Sequence, residues 1–150
     1  MTVQKLPFPV EALVPQAGSL SFNTFGGSIE VPLQPFDLPL WHDIRTKVLI
    51  DCLPIEPVQA GALSGMTLQF GSVPSDQRPE GSVYIGYHHH PVDLMALRFG
   101  PAMGNTVEVE FIAALIFDFE GLEAEEGSEF GNAVWHATAS LRVVAPDTQH

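Results

Sequence analysis

The sequence predicts an all-β fold, a mostly antiparallel β-sandwich or barrel of about eight strands with a long C-terminal hairpin. Twelve of the thirteen prolines lie at or before Pro101, so densely that hardly any earlier window could hold a helix longer than three turns. β-Branched and aromatic residues cluster between these helix breakers. Because the 150 residues are 45% hydrophobic, we expect residues 1–150 to form a single β domain with its own core.

Turn residues divide the chain into short segments. Gly26 and Gly27 predict a two-residue turn between the first two strands, since glycine accepts a positive φ. The prolines within residues 32–39 predict an edge or a surface crossing. Alternation places Cys52 on the face of Val48 and Ile50, which predicts a buried, unreactive thiol. The predicted strands cover residues 19–25, 28–33, 44–53, 66–71, 82–89, 94–99, 106–119 and 132–144.

The last two predicted strands carry the clearest alternation and form the long hairpin. Their odd-numbered residues are apolar and share one face, so they predict the core. If residue numbers across the pair sum to about 250, Glu108 faces Arg142. The even-numbered face turns apolar at Ile112, Ala114 and Ile116, which predicts a cover on that side as well. An amphipathic helix over residues 111–126 is the competing interpretation. The residues predicted for the core are Phe111, Leu115, Phe117, Trp135 and Leu141.

Charge restricts the class of partner. The chain has 18 acidic and 6 basic residues, a formal net charge of −12, which argues against nucleic acid and anionic membranes. Five of the acidic residues fall in the connection between the two long strands. They could bind a basic partner, bind a cation such as calcium, or only keep the protein soluble. We take these five as candidate partner-binding residues: Glu120, Glu123, Glu125, Glu126 and Glu129.

His88, His89 and His90 form the one dense cluster of metal-ligand side chains. In an extended chain His88 and His90 point to the same side, so they could bind a divalent metal, the one cofactor that the sequence suggests. His136 is the candidate third ligand, with His42, Asp43 and Asp118 as alternatives. In the simpler interpretation the cluster ends a strand, and His89 lies on the apolar face of that strand.

Two functions follow from these features. The first is a non-enzymatic binding or assembly protein with an acidic and partly apolar β surface, either an inhibitor or immunity-type partner of a basic protein or a self-associating subunit. The alternative is a metal-dependent cupin-like enzyme or sensor using His88 and His90. No nucleophile elbow or nucleotide-binding loop is present, and Trp41-His42-Asp43 is a weak general-base motif. We expect a cytoplasmic location, because the N-terminus lacks an apolar run of signal-peptide length.

Overall fold

The fold is described by a computed structural model for residues 4–144, without the side chain of Ser75. Almost every regular element is a strand, which confirms the predicted all-β class. One short α-helix, α1, covers Ala60–Leu63, and two short 3-10 helices cover Val10–Ala12 and Ser75–Gln77. In chain order the strands are β1 (Gln4–Leu6), β2 (Gly18–Asn23), β3 (Gly26–Pro32), β4 (Phe36–Leu38), β5 (Trp41–Ile44), β6 (Lys47–Leu53), β7 (Thr67–Gln69), β8 (Glu80–Ile85), β9 (His88–Met103), β10 (Thr106–Leu115), β11 (Glu123–Glu125), β12 (Ser128–Phe130) and β13 (Ala133–Val143).

Seven strands close into a barrel in the order β9, β10, β13, β2, β3, β6 and β8, and β8 pairs with β9 again. β7 adds an eighth strand beside the later part of β9. Neighbours in the ring are antiparallel except β13 and β2, which are parallel. An odd number of strands cannot alternate direction all the way round a closed ring. One parallel junction is therefore a necessity of this barrel.

The barrel interior is filled by side chains. Alternate residues of each ring strand point inward, as the pleat requires, and they are nearly all aliphatic or aromatic. The five side chains predicted for the core are all buried. Their relative exposures are Phe111 1%, Leu115 0%, Phe117 0%, Trp135 2% and Leu141 0%.

Each end of the barrel is closed by a different part of the chain. At one end, β1, β12 and β11 form a small sheet, and Phe8 stacks on Phe117 with ring centroids 4.5 Å apart. Trp135 is tied to this cover, because its Nε1 donates to the Leu13 carbonyl at 3.3 Å. At the other end α1 lies against β9 and β10 with Leu63 buried. Both ends are closed by apolar residues.

The predicted long hairpin is present as β10 and β13, but its register is shifted. Glu108 lies opposite Ser140, and Arg142 lies opposite Thr106. The shift from the predicted pairing is two residues, so every side chain keeps its predicted face. Glu108 and Arg142 are therefore not partners. The competing helix over residues 111–126 is wrong, since β10 continues to Leu115.

A β-bulge corrects the prediction for Cys52. Asp51 and Cys52 together lie opposite Ser28, because Leu53 pairs with Gly27 while Ile50 pairs with Ile29. The extra residue inverts the alternation, so Leu53 is buried and Cys52 is exposed, with φ of 63°. The thiol is free and faces outward.

Two turns also differ from the predictions. The first hairpin turns at Thr24 and Phe25, and Gly26 already belongs to β3. The second turn, at Gly86 and Tyr87, separates β8 from β9, so the three histidines begin a strand rather than end one. The predicted strand over residues 44–53 is divided between β5 and β6.

None of the helices within residues 4–144 has the length and apolar character needed to cross a membrane. The single-domain prediction includes residues 1–3 and 145–150, which lie outside the described residues.

Candidate functional site

The acidic connection between β10 and β13 is itself folded. β11 and β12 form a short antiparallel hairpin, and β12 pairs in parallel with β1. Leu122, Ala124 and Phe130 are buried under it, so this hairpin is anchored in the core. We call residues 123–130 the acidic hairpin. Glu123 and Glu125 lie on β11, Glu126 lies in the turn and Glu129 lies on β12, so the backbone of this hairpin fixes where the carboxylates leave the surface.

The five predicted partner-binding glutamates fall into two groups. Glu129 pairs with Lys5 at 3.2 Å, and Glu120 accepts a hydrogen bond from the His89 backbone N–H at 2.7 Å. The other three, Glu123, Glu125 and Glu126, are exposed, and their carboxylates have no hydrogen bond or ion pair to any described residue. These three remain available to a partner.

An exposed row of rings lies beside the acidic connection. Tyr84 and His89 have ring centroids 5.2 Å apart, and His89 and Phe119 are 6.5 Å apart. Tyr84 is 55% exposed and Phe119 is 67% exposed. We call these three side chains the aromatic row. Because Phe119 directly precedes Glu120, the row is continuous with the acidic segment.

A cleft of about 310 Å³ opens next to this row, lined by Trp41, Tyr84 and Tyr87 together with Asp43 and Arg45. We call it the aromatic cleft. The Trp41 Nε1 donates to the backbone carbonyl of Glu123 at 3.1 Å, which ties the cleft to the acidic hairpin.

Gly86 in the turn makes the Trp41 position feasible. Its φ is 65°, a left-handed conformation that favours glycine, and a Cβ there would lie 2.7 Å from Trp41 Cζ3. A side chain at this turn would displace the indole.

A larger cleft of about 450 Å³ lies on the barrel wall near His89. Arg78 is held within it by both carboxylate oxygens of Asp93, at 2.8 and 2.9 Å, and by the carbonyls of Val73 and Gly71. These bonds fix the loop before β8. Asp51 and Glu80 lie opposite one another here across β6 and β8.

His88 and His90 share one side of β9, with ring centroids 6.5 Å apart, and His89 points to the other side. The residue on the apolar face is His90, not His89, because the turn at Gly86 and Tyr87 resets the alternation. His90 is 0% exposed, and neither of its ring nitrogens has a hydrogen-bond partner among the described residues. Burial lowers the pKa of His90 below its ordinary value of 6.5 and outweighs the opposing effect of the nearby Ile85 backbone, while the neighbouring His88 lowers it further.

His136 lies in a different cluster from these histidines. It is exposed, and its Nε2 is 2.6 Å from Glu110 Oε2, with Arg98 on the same carboxylate at 3.6 Å. Across residues 4–144 no three His, Cys, Asp or Glu side chains are grouped so that they could hold a metal ion. The arrangement therefore gives the predicted set of His88, His90 and His136 no support.

The aromatic row and the aromatic cleft were not identified from the sequence. Alternation from Val83 and Ile85 would place Tyr87 on the same apolar face, but Tyr87 is 95% exposed. The missed signal is Gly86, a turn residue between two runs of alternating pattern. Phe119 ends an apolar stretch of sequence, so the pattern does not distinguish it from the buried residues before it.

No protein-family model matches this chain, and no curated protein and no solved structure matches it either.

Proposed function

We propose that this protein is a non-enzymatic binding protein that contacts a basic protein partner through the acidic hairpin and the aromatic row. The observation that carries the proposal is the group of three unpaired carboxylates on a folded hairpin beside exposed aromatic rings. Such a partner would be a target inhibited by this protein or a neighbouring subunit of an assembly. We place this activity in the cytoplasm.

The two parts of the surface contribute differently to binding. Aromatic side chains are enriched where interfaces gain most of their affinity, because they bury a large apolar area and lose little conformational entropy. Carboxylates at the rim raise the rate of encounter with a cationic surface and select against acidic partners. The formal net charge of −12 acts in the same direction.

The proposal is tested by replacing Glu123, Glu125 and Glu126 together with glutamine. Binding to a synthetic peptide of alternating lysine and glycine is measured at increasing salt, with a glutamate–glycine peptide as the negative probe. We expect the wild type to bind the lysine peptide, more weakly as salt rises, and the triple variant to bind more slowly with a smaller salt dependence.

A matched triple variant separates a local surface from net charge. Glu11, Glu56 and Glu108 are exposed and lie outside the acidic hairpin and the aromatic row. Their replacement by glutamine removes the same charge. If both triple variants lose binding equally, only the overall charge acts and the proposed surface is wrong.

Self-association is the second route to assembly. Ile112, Ala114 and Ile116 lie on the outer face of the barrel and are partly exposed, and Val134 opposite Ala114 is 60% exposed. This apolar stripe is the contact surface to examine if the acidic hairpin proves inactive. A concentration-dependent sedimentation coefficient that the change Val134→Ser abolishes would establish it.

A further inference from the structure

We propose that the aromatic cleft receives one cationic side chain, a lysine or arginine of the basic partner. This inference rests on the proposed function and specifies which group of the partner the surface recognises. A cation placed against aromatic ring faces is attracted by the negative charge of those faces. Three aromatic residues, Trp41, Tyr84 and Tyr87, line this cleft.

The cleft has the size and the exposure that such a ligand needs. Its volume of about 310 Å³ exceeds the space taken by the end of a lysine or arginine side chain. Tyr87 is 95% exposed and Tyr84 is 55% exposed, so both rings are reachable from solvent. Trp41 is half-buried and forms the inner wall.

The inner wall is held in place before any ligand arrives. Trp41 is fixed by its hydrogen bond to the Glu123 carbonyl and by its close packing on Gly86. Its position is therefore coupled to the acidic hairpin, which is the element proposed to attract the basic partner. A preorganised wall lowers the entropy lost on binding.

A carboxylate is available at the same cleft. Asp43 has φ of 52°, and its backbone N–H donates to Asp37 Oδ1 at 2.7 Å, which holds this left-handed conformation. Its side chain pairs with Arg45 at 3.1 Å, but both partners are mostly exposed. An exposed pair of this kind contributes little, so an incoming guanidinium or ammonium group can replace Arg45 on Asp43.

Two small probes, one charged and one neutral, test the inference. Tetramethylammonium is a cation, and 3,3-dimethylbutanol presents a neutral group of the same branched shape. Each is titrated into the full chain, and NMR follows the Trp41 indole N–H, which the change Trp41→Phe assigns. We expect tetramethylammonium to shift the Trp41 signal in a saturable manner and the neutral alcohol to leave it unchanged.

Substitutions locate the effect within the cleft. Tyr84→Leu and Tyr87→Leu retain apolar bulk but remove the ring face, so each should weaken tetramethylammonium binding by about two- to fivefold. Phe25→Leu is the matched control, because Phe25 is 78% exposed at the turn before β3 and does not line the cleft. Equal binding of both probes, or equal loss in the Phe25 variant, would overturn the inference.

The lysine–glycine peptide separates this inference from the proposed function. If the peptide binds with the salt dependence expected of the acidic hairpin but leaves the Trp41 signal unmoved, the cleft inference is wrong and the proposed function stands. If the peptide does not bind while tetramethylammonium does, the cleft recognises cations and the proposed function is wrong. If neither the lysine–glycine peptide nor tetramethylammonium binds, both proposals are wrong.

Discussion

His90 is the residue whose environment departs most from ordinary packing. It lies inside the barrel next to Phe117, with ring centroids 5.3 Å apart, and both its nitrogens lack partners among residues 4–144. A buried polar group without a hydrogen bond costs about 1 to 3 kcal/mol. The titratable groups around it are His88, His89 and Glu120, of which only the Glu120 carboxylate favours the protonated ring.

This environment makes stability depend on pH in a defined direction. Because the pKa of His90 is lowered in the folded protein, the unfolded chain binds more protons below its ordinary pKa of 6.5. The free energy of unfolding therefore falls as the pH decreases through 6.5, and the fall from this residue ends below the lowered pKa. Above 6.5 the contribution is constant.

The change His90→Leu should remove this pH dependence and raise the free energy of unfolding by about 1 to 3 kcal/mol at pH 7, since the orphaned nitrogens are lost. Urea unfolding between pH 7.5 and 5 measures both effects. The change His42→Leu is the control, because His42 is exposed and is not among the groups that shift the pKa of His90. A His90→Leu protein less stable than the wild type at pH 7 would show that the ring has a partner in solution.

Gly86 and Gly104 allow a second prediction at the scale of single residues. Both occupy turns with nearly equal φ, 65° and 60°, but only Gly86 has a neighbour that a Cβ would meet. Gly104→Ala should lower the free energy of unfolding by about 1 kcal/mol, the cost of the left-handed backbone. Gly86→Ala should cost about 1 to 3 kcal/mol more, because the methyl group displaces Trp41.

Thermal unfolding and Trp41 fluorescence measure these two variants. The fluorescence should change only in the Gly86 variant. Equal losses of stability in the two proteins would mean that Trp41 does not pack on the turn.

At the scale of elements, bulges and turns limited what could be predicted. The long strands β10 and β13 were predictable because an unbroken alternation extends over each of them. In β6 a single extra residue inverts the pattern, and nothing in the local sequence marks it, so Cys52 was assigned to the wrong side. For His89 the cause is the turn at Gly86 and Tyr87, which interrupts the alternation before β9 begins.

The bulge in β6 makes the Cys52 thiol accessible in the folded protein. Ellman's reagent should therefore modify one thiol per chain without denaturant, and the rate should match that of an exposed cysteine. The change Cys52→Ser should abolish the reaction and leave the thermal unfolding temperature within about 2 °C of the wild type. Modification that occurs only in urea would place Cys52 inside and contradict the bulge.

At the scale of the whole molecule, the sequence predicted the all-β fold class, but it did not predict the strand order that closes the barrel. Proline spacing and alternation predict strands and a common core, yet the strand order depends on contacts between distant segments that leave no local mark. The same limit applies to the candidate surface. The glutamates were visible as a cluster, whereas the aromatic cleft combines β5 with the turn at Gly86 and exists only after folding.

The described part of the segment before β2 belongs to this closed structure. Phe8 is 5% exposed and packs on Phe117 and Phe130. Phe8→Ala should therefore lower the free energy of unfolding by about 3 to 5 kcal/mol. Phe25→Ala, at an exposed turn, should change it by less than about 0.5 kcal/mol.

Urea unfolding followed by circular dichroism measures both phenylalanine variants. Similar midpoints for the two proteins would show that the segment before β2 does not seal the barrel.

The parallel junction between β13 and β2 is where we expect the barrel to open first. It contains three residue pairs, from Leu141 with Gly18 to Val143 with Leu20, and is the shortest ladder in the ring. Opening there costs the fewest hydrogen bonds and converts the barrel into an open sheet with two bare edges. We expect amide protons at this junction to exchange with solvent before the rest of the ring, and aggregation on heating to begin from the opened form.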